Sequence, residues 1–238
     1  MKTLKLYIVL ISPLFFAACS GAPLDSGTPP AGKLFAQVSL EGLQGPDFLT
    51  EEGYEIHLEK EAFVMGNLFF LETGGASALK FHEGQEHSEP SSCDFEGSIP
   101  RFFYLDFLGD PDLPCVTLAE GSYAGLRFEI RPGVEGKTEG LPPGETASLI
   151  VEGTATREGV IYPFAIRGNL ESPVEILKAL SLSGESHHVA LGVDPASWFH
   201  GLDFALLEQE EGVVKIDEGR NAEFFKALCG RIVQSFSL

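Results

Sequence analysis

An antiparallel β-sandwich closed by a short C-terminal helix is the fold that this sequence predicts. Three observations carry that prediction. Between residues 33 and 216 some nine or ten short apolar segments are divided by clusters of Gly, Pro, Asp, Asn and Ser. Within the segments hydrophobic side chains tend to alternate with polar ones, the two-residue period of a strand. Helical periodicity is confident in only one stretch near the C-terminus, which argues against alternating strand and helix units.

The first strand pattern is residues 33–40, where Leu34, Ala36, Val38 and Leu40 share a face. Tyr54, Ile56 and Leu58 then alternate with Glu55, His57 and Glu59, and residues 63–71 form a continuous apolar run. Further strands are expected at 101–107, 122–130, 147–152, 160–166, 188–193 and 212–216. Glu158-Gly159, between two of these, reads as a hairpin turn in which glycine supplies a positive φ. Phe225, Leu228, Cys229, Ile232 and Phe236 recur at helical spacing behind Asn221, a good N-cap type, so a helix is expected over 222–234. Trp198 reads as a packed aromatic at a strand end.

The chain has 238 residues, 44% of them hydrophobic and 21% charged, a composition that excludes intrinsic disorder. Its net charge of -19 argues against nucleic acid as a partner, because a phosphate backbone would be repelled. Residues 1–18 are expected to be a lipoprotein signal peptide: Lys2 and Lys5 precede a 13-residue apolar stretch that ends in Ala17-Ala18-Cys19. As a helix that stretch reaches roughly 20 Å, short of the ~30 Å hydrocarbon core of a bilayer. Ordinary cleavage with Cys19 left as a thiol is the competing reading; small residues directly before a cysteine resemble a bacterial lipobox and favour acylation of Cys19.

Residues 19–32 are rich in Pro, Gly and Ser and read as a flexible tether, and residues 33–238 as a single sandwich domain. The membrane contact is then the lipid on Cys19, since no basic patch assists it. Ser20, not Asp, follows the cysteine, and the resemblance to diderm lipoproteins implies export to the outer membrane, where the organism has one, with the domain facing the periplasm.

Export leaves Cys93, Cys115 and Cys229 in an oxidising compartment. Cys93 and Cys115 lie in turn-like segments and are expected to pair; Cys229 lies on the apolar side of the helix and is expected to act as a small buried hydrophobe. No nucleophile elbow, P-loop or dinucleotide fingerprint occurs, and an enzymatic role is not expected. His82 and His87, five apart with Glu83 and Glu86 between them, are the candidate ligands for copper or zinc, since neutral imidazoles in an acidic segment suit either metal. A solvated loop competes with that reading. His187, His188 and His200 are weaker candidates, and Asp106, Asp110 and Asp112 have calcium-type oxygens without the EF-hand spacing.

Four stretches in order, residues 63–71 (FVMGNLFFL), 121–130 (GSYAGLRFEI), 151–153 (VEG) and 189–199 (VALGVDPASWF), resemble the MbnP-like family of copper-associated periplasmic lipoproteins. The resemblance implies an immunoglobulin-like sandwich, copper handling and a dihaem peroxidase-like partner. The family's His-x-Gly at the end of its central hairpin reads Ile166-Arg167-Gly168 here, so no family ligand is carried onto this chain. Two functions follow: a lipid-anchored, non-enzymatic binding or interaction module that docks another envelope protein, or a copper- or zinc-binding lipoprotein.

Overall fold

The computed structural model describes residues 31–42, 45–73, 93, 95–109 and 113–238. The signal peptide, Cys19, His82 and His87 lie outside the described residues. Strands are β1 (Lys33–Gly42), β2 (Asp47–Leu49), β3 (Glu55–Glu72), β4 (Phe95–Glu96), β5 (Ser98–Asp106), β6 (Val116–Ala119), β7 (Gly121–Ile130) and β8 (Thr138–Glu139). They continue with β9 (Leu149–Arg157), β10 (Val160–Gly168), β11 (Ser172–Ile176), β12 (Leu180–Leu182), β13 (Ser186–Val193), β14 (Gln209–Glu210), β15 (Val213–Ile216) and, after helix α1 (Ala222–Gln234), β16 (Phe236–Ser237).

Two sheets form the sandwich. The smaller runs β16-β13-β1-β6-β4, and the larger β11-β7-β3-β9-β10-β15-β14, with β2 and β5 also on β3, β8 beside β5 and β12 beside β7. Most pairs are antiparallel, as expected. The longest pairing of the smaller sheet is not: β1 and β13 run parallel, with Val38 opposite Val189 and Leu40 opposite Leu191. That register puts the two alternating patterns on one inner face, where all four side chains are buried.

The two apolar segments expected at 54–58 and 63–71 are one strand of 18 residues. Strict alternation along β3 would turn half its hydrophobics outward, and bulges prevent this. Pairing shifts between Leu58 and Lys60 against β9, and between Gly66 and Leu68 against β5. Each shift changes the parity, so that Ile56 and Leu58, then Phe63 and Met65, then Leu68 and Phe70 all enter the same core. Glycine makes the crowding tolerable: a Cβ on Gly153 would lie 2.1 Å from the His57 carbonyl oxygen, and one on Gly66 only 1.9 Å from that of Arg101.

Between the sheets the main apolar cluster reaches from Leu34 to Phe236. Phe63 is at its centre, edge-on to Trp198, Phe107 and Phe236 with centroids 5.7, 5.0 and 6.0 Å away. Helix α1 adds Phe225, Leu228 and Ile232 to this core. Phe236, expected to extend the helical stripe, has left the helix and pairs as β16 with Val193. Asn221 precedes α1 in a left-handed conformation and makes no side-chain cap. Its amide instead spans Glu208 and Lys215, donating to their carbonyl oxygens at 3.1 and 2.7 Å. The hairpin turn is as the sequence predicts, with Glu158 and Gly159 at φ 54° and 79° between β9 and β10.

Candidate functional site

An open cleft of about 540 Å³ lies where the β2–β3 turn, the 3-10 turn Pro195–Phe199 and the last turns of α1 meet. Its polar groups come from three distant parts of the chain: Glu51 from the first, Asp194, Ser197 and His200 from around the second, Arg231 and Gln234 from the third.

Each wall is fixed by local chemistry. Asp194 starts the 3-10 turn as an N-cap, its Oδ1 accepting from Ala196 N at 3.2 Å, and Pro195 follows where its missing N–H costs nothing. Trp198, fully buried, donates from Nε1 to Ser235 Oγ at 2.8 Å and so ties this turn to the end of α1. Arg231 completes the tie by donating from Nη1 to the Trp198 carbonyl oxygen at 3.0 Å. Opposite, Thr50 closes the β2–β3 turn by accepting from Tyr54 N on Oγ1 at 3.1 Å. That turn carries Glu51 to the cleft and lets Glu52 Oε1 accept from Gly201 N.

Glu51 Oε2 and His200 Nδ1 are 2.9 Å apart across the mouth, with side chains 78% and 61% exposed, a pair worth little to stability in water. Ser197 shares the cleft with His200, but its hydroxyl donates to the Asp194 carbonyl oxygen at 2.7 Å while His200 meets Glu51. The serine and histidine are therefore not joined as nucleophile and base in this arrangement.

Other sequence candidates lie apart. His187 is held against the Ser183 backbone, its Nε2 3.0 Å from the amide nitrogen, and His188 faces solvent on the outer side of β13. Asp106 is exposed at the end of β5, and Asp110 and Asp112 lie outside the described residues. Among the described residues no three His, Cys, Asp or Glu side chains are grouped to hold a metal ion. Cys93 and Cys115 are joined as a disulfide with Cα atoms 4.9 Å apart. Cys229 is free and packs at the margin of the core, where burial pushes its thiol up to about 11, so it is protonated at neutral pH.

Two polar arrangements escaped the sequence reading. Tyr54 donates its hydroxyl to Asp203, which also accepts from Arg157 Nη2 at 3.2 Å while the guanidinium covers the Tyr54 ring at 4.3 Å. Chiefly through the Tyr54 hydrogen bond, Asp203 is held below the usual carboxylate range. Glu61 is the opposite case. It is 3% exposed, its Oε1 has no hydrogen-bond partner, and desolvation with the nearby Asp106 charge pushes it up to about 8.

No helix among the described residues is long and apolar enough to cross a membrane. No family model and no curated protein matches the chain. Among solved structures it has a distant likeness in shape to MbnP from Methylosinus trichosporium, at 11% identity and a TM-score of 0.39, over 76% of this chain and 82% of that one.

Proposed function

We propose that the chain is a lipid-anchored protein of the bacterial envelope that works as a non-enzymatic binding module, held on the outer membrane by acylated Cys19 and presenting the Arg231 cleft to the periplasm. The cleft carries this reading. Its volume falls in the range of ligand sites, its walls are locked by the Trp198 and Arg231 bonds, and its Ser197 hydroxyl is turned to the Asp194 carbonyl oxygen rather than to His200. The lipobox supports the address, and the disulfide suits an oxidising compartment.

A photo-crosslinking residue in place of Leu49, 67% exposed on the rim of the cleft, tests it in intact cells. The expected result is a discrete adduct with another envelope component, macromolecule or small molecule, and loss of palmitate labelling in the Cys19→Ala variant. Palmitate labelling that survives Cys19→Ala, or the absence of any adduct at residue 49, overturns the reading. The copper or zinc alternative rests on the imidazole pair His82 and His87 in its acidic segment, and metal content of the purified protein tests it directly.

A further inference from the structure

Arg231 differs from every other arginine of the chain. Arg157, Arg167 and Arg220 are paired with Asp203, Glu145 and Glu210. Arg101, Arg127 and Arg131 lie over the rings of Phe95, Phe69 and Phe102. Arg231 has neither kind of partner among the described residues; one guanidinium N–H holds the Trp198 carbonyl, and the side chain lines the cleft. In a chain with 35 acidic side chains against 16 basic ones, a guanidinium left without a carboxylate is an unfilled recognition group.

The rest of the cleft says what can fill it. Glu51 and Asp194 line the cleft with carboxylates that each hold one partner through one oxygen, His200 on Glu51 Oε2 and the Ala196 N–H on Asp194 Oδ1, and keep a second oxygen for a ligand, while Ser197 and Gln234 add neutral hydrogen-bonding groups. A simple anion meets these two acids and the field of a chain of net charge -19, and a simple cation meets Arg231. A neutral molecule carrying both charges satisfies each wall at no net electrostatic cost. Resting on the binding-module reading above, we infer that the cleft binds a small zwitterion, an amino acid or short peptide with free termini, its carboxylate on Arg231 and its ammonium against Glu51 and Asp194. About 540 Å³ accommodates a ligand of a few residues. Leu49 at the rim supplies an apolar lip for a small side chain.

Isothermal titration of the full lipoprotein in detergent with trialanine, N-acetyl-trialanine and trialanine amide tests this. Trialanine is expected to bind, and each blocked form at least about tenfold more weakly, the loss of one charged hydrogen bond. Glu51→Gln, at an exposed position, is expected to weaken trialanine and leave N-acetyl-trialanine unchanged; Arg231→Gln is expected to weaken trialanine and leave trialanine amide unchanged. No binding of trialanine, or equal binding of the three, overturns the inference. Should trialanine fail while the residue 49 crosslink persists, the ligand chemistry is wrong and the binding module stands; loss of both removes both.

Discussion

Trp198 donates its indole N–H to Ser235 Oγ at 2.8 Å in the core, and the same hydroxyl donates onward to the Ile232 carbonyl oxygen at 2.8 Å. This chain of two bonds fastens the cleft's 3-10 turn to the end of α1. Ser235→Ala leaves the indole N–H buried without an acceptor, at an expected cost of about 1–3 kcal/mol. Urea denaturation measures it. Ser235→Thr, which keeps the hydroxyl, should recover most of the loss; an alanine variant as stable as the parent would mean that the bond contributes nothing.

Glu61 makes stability depend on pH. Its folded value, about 8, lies above the ordinary 4.5, so folding favours the protonated form. The contribution is fully present below about pH 4.5 and is lost as pH rises through 8, at up to about 1.4 kcal/mol for each pH unit in between. Glu61→Gln removes the titration while keeping the shape. Thermal melts from pH 5 to 9 should show the variant overtaking the parent as pH rises, with the gap widening to about pH 8 and then holding. Parallel curves would show that Glu61 does not titrate in this window.

Helix α1 was legible to the residue because Phe225, Leu228 and Ile232 repeat at a spacing that local geometry alone enforces. The break expected between 58 and 63 was not there. Glu59, Lys60 and Glu61 look like a polar turn, yet they sit at a bulge inside β3, and a bulge depends on the partner strand, which sequence spacing does not show. Likewise β1 pairs with β13 in parallel across some 150 residues of chain, a choice made by the global fold. Of the cleft, only His200 stood out in the sequence. Arg231 reads as an ordinary cation in the last turn of a helix, and what distinguishes it is that, among the described residues, it has neither the ion pair nor the ring partner that every other arginine has.

Gly153 and Gly159 separate two reasons for glycine within one hairpin. At Gly153 a Cβ would meet the His57 carbonyl oxygen at 2.1 Å, whereas Gly159 has open space and a φ of +79°. Gly153→Ala must push β3 away from β9 and is expected to cost about 3 kcal/mol or more. Gly159→Ala carries only the left-handed penalty of about 1–2 kcal/mol. Chemical denaturation of the two variants should rank them in that order, and the reverse order would contradict the bulge geometry.

The Cys93–Cys115 disulfide spans 22 residues of sequence. Closing a loop of that length is worth about 3 kcal/mol on the chain-entropy account. The double Cys93→Ala/Cys115→Ala variant should lose about that much stability under oxidising conditions, and the parent should fall to the same level on reduction. Non-reducing peptide mapping checks the pairing itself, and a 93–229 or 115–229 crosslink would contradict it.

Titration with Cu(II) and Zn(II) decides between the histidines. His187 is engaged with the Ser183 backbone, His200 with Glu51, and His57 Nδ1 lies 2.7 Å from Asp47 Oδ1; among the described residues none of them is grouped with the two further ligands that a stable site needs. His82 and His87 have Glu83 and Glu86 in the same segment and are the pair that the sequence offers for a metal. Any uptake should therefore vanish in the His82→Ala/His87→Ala variant and survive His187→Ala and His200→Ala. It should also weaken as pH falls through about 6.5, where imidazole takes up a proton and ceases to be a ligand. A parent that takes up neither ion rejects the metal reading, and a double variant that binds as well as the parent moves the site away from residues 82–87.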